Sequence, residues 1–299
     1  MRQLCAKSGA AGLARRGAAY SQDIARPPRI EVENGLYHVV ARGNERKTIY
    51  RDDTDRERFL EIVGLVVARY GWCVLTYCLM SNHYHLLAQT PRANLARGMR
   101  QLNGVYAQSF NRRHGRDGHL FQGRYSAILV QADAHLRSAV RYIVRNPLRA
   151  GLCEQVEEWR WSSHQATIAT SPAGFLATDV LLSYFGESRL AARERYRALV
   201  DANEDSPRPR HPLLDGDDDF IARHLALLQP SLEHPRAAVR PPAPPLTELV
   251  RSSADPSALA RAHREHGYSM RQIAVHLGCG VTTIHRRIRA YEEAQAQAA

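Results

Sequence analysis

Leu79-Met80-Ser81-Asn82-His83-Tyr84-His85-Leu86-Leu87 is the stretch on which the reading of this chain turns. Val74 to Leu79 and Tyr84 to Leu87 are apolar and aromatic and read as strands, with Ser81-Asn82 as a tight turn between them. Side chains alternate along a strand, so His83 and His85 point to one face and Tyr84 packs on the other. Two imidazoles side by side on a rigid strand can hold one divalent metal ion. Alone, the same pair is equally a polar strand face. A metal site needs another ligand and a reason to exist, and both must come from elsewhere in the chain.

Working outward, Leu36 to Ala41 reads as a first strand, ended by Arg42-Gly43-Asn44. Asp53 or Thr54 caps a helix running to about Tyr70, with Phe59, Ile62, Val63, Val66 and Val67 at helical spacing and Gly71 closing it. After the histidine hairpin, Pro91 and Asn94 start a second helix to about Arg113, with Leu95, Met99, Leu102, Val105, Tyr106 and Phe110 on one face. His119 to Val130 reads as extended, with Gly123 inside it, and Ala132 to Asn146 as a third helix. Strand, helix, two strands, helix, strand is the order of an α+β, ferredoxin-like split βαβ fold, an antiparallel sheet with helices on one face.

Charge points to the partner. The 299 residues carry a formal net charge of +11, and Lys7 and Lys47 are the only lysines. Arginine forks suit bidentate contacts to phosphate, so nucleic acid is the favoured explanation. An arginine-rich composition used for ordinary solvated cations is the plain alternative. Arg100, Arg112, Arg113, Arg124 and Arg141 could track phosphates, and His119 to Arg124 combines an aromatic, a glycine and an arginine, which suits unpaired bases as well as a structural hairpin. Cys5, Cys73, Cys78, Cys153 and Cys279 are scattered and odd in number. They form neither a disulfide framework nor a structural zinc motif, which fits a reducing cytoplasm. No apolar run approaches the ~18 residues of a membrane span.

Residues 1–24 read as a disordered arm or an upstream extension, 25–152 as the main domain, and 153–229 as a helical extension with Trp159 and Trp161 as core anchors. Thr178 to Phe185, Ser188 to Val200 and Phe220 to Leu228 read as helices, the last capped within Asp215 to Asp219, and Ser206 to His211 as a Pro/Arg linker. Proline density makes 230–245 a flexible or polyproline linker. Residues 246–299 read as a helix-turn-helix module: Pro256 to Glu265, Ser269 to Leu277, the turn Gly278-Cys279-Gly280, then Val281 to Tyr291 carrying Thr282, Thr283, His285, Arg286, Arg287 and Arg289. A plain three-helix bundle with a solvated arginine face has the same outline.

The third helix ends in Arg141-Tyr142-Ile143-Val144-Arg145-Asn146-Pro147. Tyr142 and Asn146 are four residues apart, so they share a helix face. If that face lies on the histidine side of the sheet, a hydroxyl nucleophile and an oxygen ligand arrive together. Asn146-Pro147 is also what a helix start with proline in its first turn looks like.

His83-Tyr84-His85 resembles the His-hydrophobic-His signature of the HUH endonucleases. Tyr142 with Asn146-Pro147-Leu148-Arg149-Ala150-Gly151 resembles the catalytic helix of their single-tyrosine branch. The match is to the REP-associated tyrosine transposases, relatives of the transposases of single-stranded insertion elements. Ala25-Arg26-Pro27, Leu36-Tyr37-His38, Arg42-Gly43-Asn44, Arg100-Gln101-Leu102-Asn103 and His119-Leu120-Phe121-Gln122-Gly123-Arg124 are similar to segments of that family. The likeness is close from about Ala25 to Leu152 and looser to about Val200.

The resemblance implies an HUH fold that cuts and rejoins single-stranded DNA beside a hairpin, a repetitive extragenic palindrome, with Mg2+ or Mn2+. It implies that His83 and His85 hold the metal with Asn146 as third ligand, and that Tyr142 attacks phosphorus to form a 5′-phosphotyrosine. DNA contacts are expected from Arg42, Asn44, Arg100, Arg124 and Arg141. Thr282, Thr283, Arg286 and Arg287 would add duplex DNA through the carboxy-terminal module. The enzyme would be cytoplasmic, associated with the nucleoid, and a monomer or homodimer. Two rivals are a non-catalytic hairpin-binding regulator on the same fold and an RNA-binding ferredoxin-like module; the latter predicts aromatics where the histidines stand.

Overall fold

The computed structural model describes residues 30–169, 174–202, 209, 211–228, 244–252 and 255–298. The expected arm, most of the 206–211 linker and the 230–243 part of the proline-rich linker lie outside these residues. The sheet has the order β2-β3-β1-β4-β5. Its strands are β1 (Gly35–Arg42), β2 (Cys73–Leu79), β3 (His83–Thr90), β4 (Ser126–Val130) and β5 (Leu214–Asp215). The first four strands are antiparallel; β5, not foreseen from the sequence, pairs parallel to β4.

Strand alternation sorts the residues into two layers. Tyr37, Val39 and Ala41 of β1 and Tyr84, Leu86 and Ala88 of β3 face α1 (Asp53–Tyr70) and α2 (Leu95–His114). Here Phe59, Tyr84, Tyr106 and Phe121 form an aromatic cluster, with Phe59 and Tyr84 ring centroids 4.6 Å apart. The opposite face carries Leu36 and Leu87 and packs on α3 (Ala134–Val144), α6 (Thr178–Ser183) and α7 (Arg189–Asp201). Helices therefore cover both faces rather than the expected one. The helical extension completes this second apolar layer, adding Leu181, Leu182, Ala192, Tyr196 and Val200 to the Leu136, Val140, Ile143 and Val144 of α3.

Local signals explain the element ends. Asp52 caps α1 by accepting from the Asp55 amide at 3.0 Å, and Gly71 ends it at φ +71°. Arg113, expected as a phosphate contact, instead forks onto Asp52 at 2.7 Å and also meets buried Asp55, tying the end of α2 to the start of α1. The free edge of β2 is covered by residues 161–163: Leu79 N–H donates to Trp161 O at 2.8 Å and Ser163 N–H to Tyr77 O at 3.0 Å.

The expected extension over 119–130 is a strand only from Ser126, because Gly123 turns the chain at φ +69°. Before that turn, Leu120 and Phe121 run beside the end of β1, where Asn44 N–H donates to Leu120 O and Gln122 N–H to Arg42 O, both at 2.8 Å. Phe121 is buried in the aromatic layer, so it is a core ring and not a platform for bases.

The third helix stops at Val144. Pro147 has no N–H to continue the ladder and sits in the first turn of a separate short helix, α4 (Asn146–Arg149). Then come α5 (His164–Ile168), α8 (Asp218–Leu225, capped by Asp217) and a short α9 (Leu246–Leu249). The carboxy-terminal module is α10 (Pro256–Arg264), α11 (Met270–His276) and α12 (Val281–Ala298). Ser269 and Gln272 form a capping box on α11, and Gly278 makes the turn at φ +62°. Val250, Leu259, Ala262, Ile273, Ile284 and Ile288 give this module its own core.

One close approach sets the α2 layer. A Cβ on Gly98 would lie 2.1 Å from the Trp72 ring, whose Nε1 donates to Asn94 Oδ1 at 2.8 Å. Gly98→Val is expected to destabilise the domain by about 2 kcal/mol, the usual scale of overpacking. A urea midpoint equal to wild type would contradict this.

Candidate active site

The β1–β3 register sets the site. Arg42 lies opposite His83 and Val40 opposite His85, so His83, His85, His38 and Arg42 share one face. His38, two residues from Val40, is the diagonal neighbour of His85, within reach of a ring. Its Nε2 lies 2.9 Å from His85 Nδ1, and the two rings stack with centroids 5.1 Å apart. Both side chains are buried, His85 at 4% exposure. The His83 ring centroid is 5.0 Å from that of His85.

Hydrogen bonding fixes the tautomer of His83. Its Nδ1 lies 2.7 Å from Asn82 Oδ1, and the Asn82 amide nitrogen donates to Arg46 O at 2.9 Å. An amide oxygen only accepts, so His83 carries its proton on Nδ1 and presents a bare Nε2. The Nε2 of His85 is buried with no hydrogen-bond partner. Burial lowers His38 to about 4; burial and the Arg42 charge lower His83 to about 4. Burial, then His38, His83 and Arg42, hold His85 well below the ordinary imidazole range. All three rings are neutral at pH 7, the form in which imidazole ligates metals.

An orphaned ring nitrogen beside a second bare one fits a divalent cation. Among the described residues no group of three or more His, Cys, Asp or Glu could hold a metal.

The C-terminal half of α3 brings Tyr142 over this pair. Its ring meets those of His38 and His85 edge-on, at centroid distances of 5.8 Å each. The Arg149 guanidinium lies over the Tyr142 ring at 4.8 Å. His83, His85 and Tyr142, expected from widely separated sequence positions, thus come together. Asn146 stands beyond the break at Arg145, at the start of α4, so the unbroken helix face expected for Tyr142 and Asn146 is interrupted.

The expected DNA contacts divide. Arg42 and Asn44 are exposed at the end of β1, by the histidines, and Arg124 is exposed beyond Gly123. Arg100 is exposed on α2, in the layer across the sheet from the histidines. Arg141 corrects the expectation of a surface cation: it is 5% exposed and engaged within α3's surroundings. Thr282 and Arg286 are exposed and Thr283 and Arg287 half-buried on the first turns of α12. Sequence reading missed His38, Asn82 and Arg149. The parity of His38 with Val40 was available once β1 was paired with β3; the Arg149 stacking follows only from the turn at Pro147.

The site therefore joins neutral imidazoles on a sheet with a tyrosine hydroxyl from a following helix, groups with the chemistry to ligate a cation and to act as a nucleophile. Residues 31–146 match the family described as "Transposase IS200 like". A Haemophilus influenzae protein assigned as a REP-associated tyrosine transposase is 26% identical over 142 residues, 44% of this chain and 80% of that protein. A solved REP-associated tyrosine transposase, bound to a REP hairpin, is 16% identical and matches 61% of this chain and 97% of its own, with a TM-score of 0.43. A crystal structure of a protein assigned as a transposase of Deinococcus radiodurans is 18% identical over 40% of this chain and 96% of its own, with a TM-score of 0.30. No described helix is long and apolar enough to cross a membrane.

The lowered imidazoles set a pH dependence. The unfolded chain takes up protons on these histidines as pH falls through about 6.5, whereas His38 and His83 in the folded protein resist until about 4. Their contribution to stability is complete above the unfolded value and is lost as pH falls through the folded one. The fall in urea midpoint over that window is expected to be shallower in His83→Gln than in wild type. A ring-proton NMR titration placing His83 at the ordinary imidazole value would contradict this.

Proposed function

We propose that this chain is a metal-dependent transposase of the single-tyrosine HUH type, which cuts and rejoins single-stranded hairpin DNA through a 5′-phosphotyrosine. The observation that carries the reading is the placement of Tyr142 against the His38–His85 pair, 5.8 Å between ring centroids, beside two unpaired Nε2 atoms. The phenol oxygen of Tyr142 attacks phosphorus, the tyrosyl O–P bond forms, and the bond to the 3′ oxygen breaks. The departing strand leaves as a 3′-hydroxyl, taking up the proton that the phenol gives up. The phosphotyrosine conserves the phosphodiester, so attack by another 3′-hydroxyl rejoins DNA and frees Tyr142.

His83 and His85 would hold Mg2+ or Mn2+, with Asn146 as the third, oxygen donor. When bound, the ion would polarise the scissile phosphate and offset charge on its oxygens. Arg42 beside His83 and Arg149 over Tyr142 supply guanidinium forks for phosphate. The hairpin class, repetitive extragenic palindromes, comes from the family resemblance. Exposed Thr282 and Arg286 give the carboxy-terminal module a face for duplex DNA.

Covalent capture tests the chemistry. With end-labelled hairpin DNA from intergenic repeats near the gene, wild type is expected to form a denaturation-resistant adduct with Mg2+ and none with EDTA or in Tyr142→Phe. Arg149→Ala is expected to slow adduct formation by roughly tenfold, the scale of one charge-assisted contact. An adduct surviving Tyr142→Phe would assign the nucleophile elsewhere. Tight hairpin binding with no adduct would favour the non-catalytic regulator.

Duplex affinity tests the module. Arg286→Ala is expected to lower the slope of log affinity against log salt by about 1. An unchanged slope would remove Arg286 from the interface.

A further inference from the structure

A two-histidine metal site needs both imidazoles to present a bare nitrogen to the same ion. For His83 the structure guarantees this, because Asn82 Oδ1 accepts from Nδ1 and leaves Nε2 unprotonated. His85 has no such guarantee. Its Nδ1 partner is the Nε2 of another imidazole, 2.9 Å away. Neutral imidazole can donate or accept at either nitrogen, so two arrangements satisfy this bond. If His38 donates, His85 carries its proton on Nε2, a buried N–H with no acceptor and no lone pair for a cation. If His85 donates, its Nε2 is a buried lone pair with no partner, which a cation completes. Only the second arrangement serves the site.

We propose that His38 is a positioning residue whose Nε2 accepts the Nδ1 proton of His85, holding His85 in the tautomer that turns a bare Nε2 toward the metal. The inference rests on the metal reading given above. His38 is suited to this task by its place in the sheet. It is the diagonal neighbour of His85 on the same face, buried, and stacked on the ring it orients. The edge of Tyr142 lies against both rings, so the same contact fixes where the nucleophile rests. His38 is not itself a third ligand through Nε2, because that atom is occupied by His85. The general rule is that a ligating imidazole is oriented by a hydrogen bond from its other nitrogen, and loss of such a partner costs 10–100-fold in metal affinity.

The test has two parts, both on the full chain. First, long-range proton–nitrogen NMR of the metal-free, histidine-labelled wild type reads the tautomer of each ring, with His85 assigned by its loss in His85→Gln. The expected result is a proton on Nδ1 of both His83 and His85. A proton on His85 Nε2 overturns the proposal. Second, Mn2+ affinity is measured by electron paramagnetic resonance. His38→Phe, which removes the acceptor, is expected to weaken Mn2+ binding by about 10–100-fold. His38→Gln, whose amide oxygen can accept the same proton, is expected to restore most of the affinity, which a packing role alone would not do. Equal affinity in wild type and a folded His38→Phe overturns the proposal. If His38→Phe fails to fold, the wild-type tautomer and the Gln variant still decide. Wild type that binds no Mn2+, or binds it as well after His83→Ala, overturns the metal reading instead, while the NMR result continues to decide the role of His38.

Discussion

The antiparallel pairing of β1 with β3 is the constraint on which the rest depends. It sets Val40 against His85 and Arg42 against His83, and with that decides which side chains share a face. A slip of one residue would turn every side chain of β3 over. His83 and His85 would then enter the aromatic layer, and Tyr84 would leave Phe59 and the hydrogen bond from its hydroxyl to Asn103 Oδ1, 2.5 Å long. Burying two unpaired imidazoles in place of that ring is opposed by both packing and desolvation. The apolar core across the sheet therefore holds the histidines in place without touching them.

Burial on the site side has the opposite purpose. Covering the sheet with α3, α6 and α7 removes His38 and His85 from water and keeps them neutral. An unsatisfied buried ring nitrogen costs about 1–3 kcal/mol. The burial of Leu87, Leu136, Val140, Ile143 and Leu181 in the apolar layer on this face can offset that cost. The result is a site that is least satisfied where a cation would enter. The positive charge of Arg42 beside it favours the neutral imidazole further.

Much of this was legible because it obeys short periods. The strands β1, β2 and β3, the helices α1 and α2, and the shared face of His83 and His85 all follow from alternation or helical spacing together with Asp, Asn and Gly at the ends. What was illegible depends on pairing across the chain. His38 looked like one more strand residue until β1 was set beside β3. Arg113 and Arg141 looked like solvated cations, but the carboxylates of Asp52 and Asp55 claim the first and the packing of α3 buries the second. Phe121 lies in a stretch whose composition suits bases, and only its contacts with Tyr84 and Tyr106 place it in the core. Charge and aromatic content say what a side chain can do, whereas partners decide whether it is available.

The break after Val144 connects these points. Val140, Ile143 and Val144 anchor α3 in the apolar layer, so Tyr142, between them in sequence, is carried on a rigid turn rather than a loop. Pro147 prevents the helix from running on, since it lacks the N–H that would bond to the Ile143 carbonyl. The chain restarts as α4, and Leu152 N–H and Gly151 N–H bond back to Pro147 O and Leu148 O at 3.0 Å. Within this compact turn the Arg149 guanidinium lies over the Tyr142 ring. A continuous helix would place residue 149 nearly two turns beyond Tyr142, about 10 Å along the axis. The proline that looked like a mere helix boundary thus marks the break between the helix that carries Tyr142 and the short one that carries Arg149, whose guanidinium rests on the phenol ring.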